Sequence, residues 1–287
     1  MVDPGLLSLV QDAGRVGWSH LGVPRGGALD ARAAALANRL VGNADDAAVV
    51  ELTVTGGSFR CESDLTLAVT GAQAEVWVND RHRGFAESFW VPGGGEVRVG
   101  PAREGLRSYL AVRGGIASPV VLGSRSTDTL AWVGPGPLRP GDRLPVGTPS
   151  GAVPAVEAVP RTPWPGVLRI YPGPRWDWLT ARAQRHLLEG EFRVEAASDR
   201  IALRLAGPRL ERRLSGELPS EGIPDGAIQV PASGQPLIFL ADHPVTGGYP
   251  VVAVVAPEDL DWCAQLAPGI ALRFSRAPAG WARAGSD

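Results

Sequence analysis

The stretch DLTLAVTGAQAEVWVND, residues 64–80, decides the fold. Within it DLTLAVTG (64–71) and AEVWVND (74–80) alternate apolar and polar side chains with a period near two, bounded by Gly71 and by Asn79-Asp80. Such alternation sends one face of each run to a core and the other to water, which is the pattern of a half-buried β-strand. Working outward, GEVRVG (95–100), SYLAVRG (108–114), VLRIYPG (167–173) and EFRVEA (191–196) read the same way. Helical signals are few. Asp30 ahead of ARAAALANRLVG and Thr180 ahead of ARAQRHLLEG supply N-cap oxygens, and PEDLDWCAQLAPG reads as a short third helix. The expected class is mainly β with a few short helices, not alternating βαβ.

A length of 287 residues suits two domains of ordinary size better than one. The 37 glycines and 26 prolines demand many turns, which argues against a helical bundle. TPSGAVPAVEAVPRTPWP (148–165) is rich in Pro and Ala and has no sustained period, so it reads as a linker. The expected division is a β domain over 1–150, a linker over 151–165 and a second β domain over 166–287. A weak internal echo agrees: Leu138-Arg139-Pro140-Gly141 matches Leu266-Ala267-Pro268-Gly269, each ahead of a short strand that ends a folded region.

The formal charge of −2 contains no long run of either sign, so nucleic acid and a membrane surface are not expected partners. All 28 basic residues are arginine, which excludes a Schiff-base lysine, a lysine general base and a P-loop lysine. The two cysteines, Cys61 and Cys263, form neither a disulfide framework nor a CxxC site, and a reducing cytoplasm fits them. The start MVDPGLLSLVQDAGR lacks a basic, apolar leader, and the apolar run 251–256 is too short to span a bilayer, so a cytoplasmic, unanchored chain is expected. The four histidines form no HxxxH or HExxH pair, so no metal is expected. No GxSxG elbow, GxGxxG turn or Walker A sequence is present, so a nucleotide would need another geometry or a partner chain.

Several polar clusters invite two readings each. In QDAGRVGWSHLGVPRGGALD (11–30), Asp12 and Arg15 could pair across a turn, while Asp30 serves as a helix cap. VLGSRSTDT (121–129) places Arg125 between two serines, suited either to anion capture or to a hydrogen-bonded loop. SDRIALRL (198–205) is either a turn knitted by Ser198 and Asp199, or a mount for Arg200 as a fixed fork for carboxylate or phosphate. SEGIPDGAIQVPASGQP (220–236) carries Glu221, Gln229 and Gln235 on loops that either orient a small polar ligand or merely join strands. PLIFLADHPVTGGYPVVAVVA (236–256) reads as two buried, neighbouring strands. Their connection is longer than a hairpin needs and carries Asp242, His243, Thr246, Gly247, Gly248 and Tyr249 together.

Taken as a set, GLLSLVQDAGR, GVPRGGALD, LANRLVGN, VLGSRSTDT, SDRIALRLAGP and SEGIPDGAIQVPASGQPLIFLADHPVTGGYP resemble the biotin-dependent carboxyltransferase family, which includes the C subunit of bacterial ATP-dependent 5-oxoprolinase. The family also goes by allophanate hydrolase subunit 2 and KipA, the antagonist of a sporulation-kinase inhibitor. The resemblance runs from about residue 5 to about residue 275, and the last block is its most specific part. It implies two cyclophilin-like β-barrel domains and a partner, the B subunit (KipI-like, allophanate hydrolase subunit 1), with a lactam-binding A subunit beside it. The implied activity is ATP-dependent hydrolysis of a small cyclic amide, 5-oxoproline to glutamate. One alternative is carboxyl transfer from carboxybiotin to a urea-derived substrate, with biotin on a separate carrier; another is a non-catalytic KipA-like binder.

Carried onto this chain, the resemblance implies Asp242, His243 and Glu221 as catalytic residues. As substrate-binding residues it implies Arg200, Asp199, Gln229, Gln235, Thr246, Gly247, Gly248, Tyr249, Arg125, Asp12 and Arg15. His243 stands where the family often has arginine, so that position lacks a permanent cation, and Arg125, Arg200 and Arg204 remain as fixed ones.

Overall fold

The computed structural model describes residues 1–154, 159, 162–214, 216 and 218–278. The expected alternating runs are strands, and the chain is mainly β with few short helices. In chain order the first nine strands are β1 (Leu7–Gln11), β2 (Val49–Thr53), β3 (Gly57–Arg60), β4 (Leu65–Gln73), β5 (Val76–Val78), β6 (Arg81–Arg83), β7 (Ser88–Val91), β8 (Glu96–Val99) and β9 (Glu104–Val112). They are followed by β10 (Val167–Pro172), β11 (Glu191–Val194), β12 (Ala202–Ala206), β13 (Glu221–Gly222), β14 (Ala227–Gln229), β15 (Leu237–Phe239), β16 (Thr246–Gly247), β17 (Val251–Val255) and β18 (Ala271–Arg276). The helices are α1 (Ala31–Leu40), α2 (Ala181–Glu189) and α3 (Leu260–Cys263).

The chain forms two compact units. The first comprises Met1–Pro163 with Ala241–Pro244 and Asp261–Ala267; the second comprises Trp164–Leu240, Val245–Leu260 and the chain from Pro268. Of the linker expected over 151–165, residues 155–158, 160 and 161 lie outside the described residues. Its described part is tied to the first unit: Arg113 Nη2 donates to Gly151 O at 2.6 Å, and Val159 packs on the α1 cluster.

In the first unit the strands make a five-stranded sheet, β1-β2-β9-β4-β7, and a four-stranded sheet, β3-β8-β5-β6. Alternation explains how β9 serves two cores. Leu110 and Val112 enter the cluster shared by the two sheets, whereas Tyr109 and Ala111 face α1 with Ala33, Ala37 and Leu40. α1 is capped as its sequence foretells, with Ala33 N donating to Asp30 Oδ1 at 2.8 Å. Gly71, at φ +84°, sits where the register of β4 on β9 shifts, and a Cβ there would meet the Tyr109 ring at 2.9 Å.

In the second unit β10-β17-β14-β15-β12-β11-β18 close into a barrel, with β18 running parallel to β10 at the seam. Closure leaves no edge to protect. Leu168, Ile170, Phe192, Leu205, Ile228, Ile238 and Phe274 are buried, and the rings of Phe192 and Phe274 lie 5.6 Å apart. Thr180 caps α2 as expected, accepting from Ala183 N at 3.1 Å.

The two apolar runs of 236–256 are not neighbours. β14 lies between them, pairing with β15 through Ile228↔Ile238 and with β17 through Ile228↔Ala253. Their connection is no hairpin: residues 241–244 belong to the first unit, and Thr246–Gly247 pairs with Glu221–Gly222 as a short ribbon. The internal echo is likewise uneven. Pro268-Gly269 leads into β18, but Pro140-Gly141 leads only to an isolated bridge between Ile116 and Val146.

Candidate functional site

The first unit gathers Asp12, Arg15, Arg125 and Asp242, which are scattered along the sequence. β1 ends at Gln11, and the segment 124–129 runs along its end: Thr127 N donates to Val10 O at 2.9 Å, and Gln11 Nε2 to Thr127 O at 2.9 Å. Asp12 then organises that segment instead of pairing with Arg15 across a turn. Its Oδ1 accepts from Gly14 N at 2.8 Å and from the hydroxyls of Ser124 and Ser126, each at 2.6 Å; its Oδ2 accepts from Arg125 N at 2.6 Å. Arg125 itself donates Nη1 to Ser118 O, the hydrogen-bonded-loop reading of its two.

Arg15 is only 2% exposed. Its Nη2 donates to Ser126 O and, at 3.3 Å, to Val133 O, and its Nε reaches Val121 O at 3.4 Å. Nη1 is a buried donor with no hydrogen-bond partner among the described residues. Burial pulls the guanidinium below its ordinary pKa, while attraction to Asp128, Asp12 and Asp242 opposes that pull. Two glycines make room for it. A Cβ on Gly134, at φ +90°, would lie 2.6 Å from Arg15 Nη2. A Cβ on Gly26, at φ +63°, would lie 3.3 Å from Arg15 Nη1 and 3.7 Å from Asp242 Oδ1, so the bare Cα of Gly26 leaves a space that cation and carboxylate both border.

Asp242 is fully buried, and its Oδ2 accepts from Thr129 N at 3.0 Å and from Thr129 Oγ1 at 2.7 Å. His243 is buried beside it and donates Nδ1–H to Pro244 O at 2.7 Å, which fixes that nitrogen as protonated. Asp128, also buried, accepts from Leu130 N at 2.8 Å; burial raises its carboxyl above the ordinary range. Of the seven buried side-chain atoms without partners among the described residues, those of Gln11, Arg15, Ser118 and Thr127 lie on the segments just described. Buried polar groups are normally satisfied, so these four atoms, brought together by the fold, are the ones that call for a partner such as water.

The second unit holds a separate group. Glu221 is ion-paired with Arg175, which holds its carboxyl below the usual range. The β13–β16 ribbon sets Glu221 opposite Gly247 and Gly222 opposite Thr246, and Ile223 N and Leu218 N extend it by donating to Val245 O and Gly248 O. Buried Gln229 donates Nε2 to Tyr249 O at 3.0 Å, while the Tyr249 side chain is exposed. A Cβ on Gly247 would meet Ile223 at 2.8 Å and Gln229 Nε2 at 3.5 Å, so glycine lets the ribbon lie against Gln229.

Other expected residues are committed elsewhere. Asp199 caps its own turn, accepting from Ile201 N at 2.8 Å and Ala202 N at 2.9 Å, and Ser198 Oγ accepts from Arg204 N at 2.9 Å. Arg200 is buried and Arg204 exposed. Gln235 binds the backbone of Gly207 twice, at 2.9 and 3.2 Å. Sequence reading passed over Asp128, Thr129, Ser124, Ser126, Gly26 and Gly134. The density of hydroxyls and carboxylate in SRSTDT was the available signal.

Comparison with known proteins agrees with this architecture. Residues 21–276 match the model of the carboxyltransferase domain, subdomain A and B. The chain is 34% identical over 277 residues to the C subunit of 5-oxoprolinase from Escherichia coli, covering 96% of this chain and 89% of that protein. It is 31% identical to "Urea amidolyase" of Lachancea kluyveri, covering 96% of this chain but 16% of that one. Among solved structures, TTHA0988 matches with a TM-score of 0.87 and 39% identity over 95% of this chain, and K. lactis urea amidolyase with a TM-score of 0.87 and 28% identity. The chain spans about half of the TTHA0988 chain, 54%, and 18% of the K. lactis one. No helix among the described residues is long and apolar enough to cross a membrane. With most of its length matched by one family model and by relatives 34% and 31% identical, the chain belongs to the carboxyltransferase-domain family, subdomain A and B.

Proposed function

We propose that this chain is the C subunit of a 5-oxoprolinase-type assembly that opens a small cyclic amide with consumption of ATP. The observation that carries this reading is the buried Arg15 Nη1, a donor without a protein partner, bordering the space at Gly26 together with Asp242 Oδ1. The 34% identity to a 5-oxoprolinase C subunit supplies the substrate class. A donor fixed in a buried site is suited to a carbonyl or carboxylate oxygen, which gains charge as the amide reacts. Asp242, held by Thr129, orients the substrate or accepts the proton of an attacking water; His243 stands next to it as a donor. Water adds to the carbonyl carbon, the C–N bond breaks, and the amide nitrogen leaves as an amine. Phosphoryl transfer from ATP to the amide oxygen, releasing ADP, precedes this addition, and hydrolysis of the resulting acyl phosphate to free phosphate and the carboxylate offsets the cost of ring opening.

The sequence has no Walker A loop, so we assign the nucleotide to the assembly, which includes a KipI-like B subunit and a lactam-binding A subunit. Glu221, paired with Arg175, is assigned to ordering the ribbon that presents Gly247 to Gly248 and Tyr249.

A second reading is carboxyl transfer, favoured by the family model and by the urea amidolyase and urea carboxylase structures. Arg15 would then hold the carboxylate of carboxybiotin, and the biotin would arrive on another protein, because this chain has no lysine to carry it.

The test reconstitutes the chain with its B and A partners and measures glutamate formation and ADP release from 5-oxoproline, with urea plus carboxybiotin as the second arm. Product from 5-oxoproline that requires all components is the expected result. Carboxyl transfer to urea selects the second reading, and no product in either arm overturns both.

A further inference from the structure

The two sheets of the first unit do not meet all along their length. Between them lies a cavity of about 360 Å³ that shares no residue with the cluster around Arg15. Its walls include Phe59, Leu67, Val97, Leu110, Val112 and Ile116, all buried members of the inter-sheet core. The Cys61 thiol adds a soft, weakly polar patch, and burial keeps it in its neutral form. Protein interiors are ordinarily packed to crystal density, so the apolar inner walls of this open cleft forgo dispersion contacts that a ligand would restore. Its volume falls at the small end of the roughly 300–1,000 Å³ of small-molecule sites, and apolar cavities of this kind bind apolar guests.

The mouth has a different chemistry. It is formed by Arg60, Glu62, Ser63, Asp142 and Arg143, beneath a strap fastened where Ala117 N donates to Pro145 O at 2.7 Å. Asp142 is spent on its own turn, accepting from Arg139 N at 2.7 Å, and Glu62 meets Arg143 at 3.4 Å as an exposed pair that a competing anion can replace. Two guanidinium groups thus stand beside two carboxylates, of which Asp142 is tied to its own turn and Glu62 can swing aside, so both arginines can turn to one incoming anion. We propose that this cavity binds a small amphiphile with an apolar body and one carboxylate, the body between the sheets and the charge at Arg60 and Arg143.

Isothermal titration with octanoate tests this, with octyltrimethylammonium and 1-octanol as controls, on the full chain. Octanoate is expected to bind with one site per chain and to raise the melting temperature. The ammonium should not bind, and 1-octanol should bind more weakly. Ile116→Phe, which fills the cavity, should abolish binding. Arg60→Gln with Arg143→Gln changes only the exposed mouth and should weaken octanoate about fivefold while leaving 1-octanol unchanged. The proposal is overturned if octanoate gives no heat and no shift, or if it binds equally well to the two-arginine variant and the ammonium.

Discussion

The first unit contains two buried polar networks, and they are finished to different degrees. At the start of α1, Glu51 accepts from Tyr109 Oη at 2.9 Å and from Leu29 N at 3.1 Å, while Tyr109 Oη accepts from Asp30 N at 2.8 Å. Gln265 closes the circuit: its Nε2 donates to Asp30 Oδ2 at 2.7 Å, and its Oε1 accepts from Leu106 N and Arg107 N. Arg107 is answered by Glu51 at 3.6 Å and by Ala264 O at 2.6 Å. Among the described residues Arg107 Nε makes no hydrogen bond of its own but faces the Glu51 carboxylate, whereas the equally buried Arg15 leaves Nη1 unanswered beside a glycine. A buried charge paired with its counter-charge is held in one arrangement, whereas an unpaired buried donor is costly until something answers it. Burial alone does not separate the two arginines; the ion pair that Glu51 makes with Arg107 does.

The sharpest way to break this distinction is Asp242→Asn. Turnover by the reconstituted assembly should fall about 10²–10⁴-fold, while thermal unfolding and partner binding stay near wild type, since asparagine can still accept from Thr129. Retained activity would remove Asp242 from the site. The opposite behaviour is expected of Arg107→Met, which strands Glu51 in the core and should cost roughly 3–5 kcal/mol in denaturant unfolding. Arg15→Met should lose activity with a smaller stability loss; equal losses for the two arginines would erase the contrast.

The third test uses pH. Burial raises the Asp30 carboxyl from its ordinary 3.8 to about 6, against the opposing hydrogen bond from Gln265. The raised group favours the folded state when protonated, so its contribution is fully present below about pH 4 and disappears as pH climbs through about 6. Relative to Asp30→Asn, wild-type stability should decline across that window by an amount on the order of 3 kcal/mol. A flat difference would mean the carboxylate is better solvated than its surroundings imply. Smallest of all, Gln235→Ala should leave turnover unchanged and cost about 1 kcal/mol or less, because both its bonds go to the exposed Gly207 backbone.

Much of the fold was legible because alternation and caps are local: the 64–80 runs became β4 and β5, and Asp30 and Thr180 cap the helices they precede. Strand order was not. The segments 236–242 and 251–256 looked like partners because they are close in sequence, but β14 fits between them. At the site, Asp12, Arg15 and Asp242 were legible as types of residue, through the family resemblance. Thr129 as the holder of Asp242 was not, for 113 positions separate them and no local pattern encodes such a meeting. Arg125, Asp199 and Gln235 show the converse, since chemistry-bearing residues on loops are often used up by the loop itself.

The presence of Ala241–Pro244 and Asp261–Ala267 in the first unit has a consequence for biosynthesis. When Pro163 leaves the ribosome, Arg107 still lacks Gln265 and Thr129 still lacks Asp242, and about a hundred further residues, roughly 5–20 seconds of translation, must follow. The amino-terminal unit is thus completed only shortly before β18 closes the barrel of the second. A message truncated anywhere before Gln265 yields a polypeptide whose first half is unfinished, so quality control at that half inspects the reading frame through Gln265.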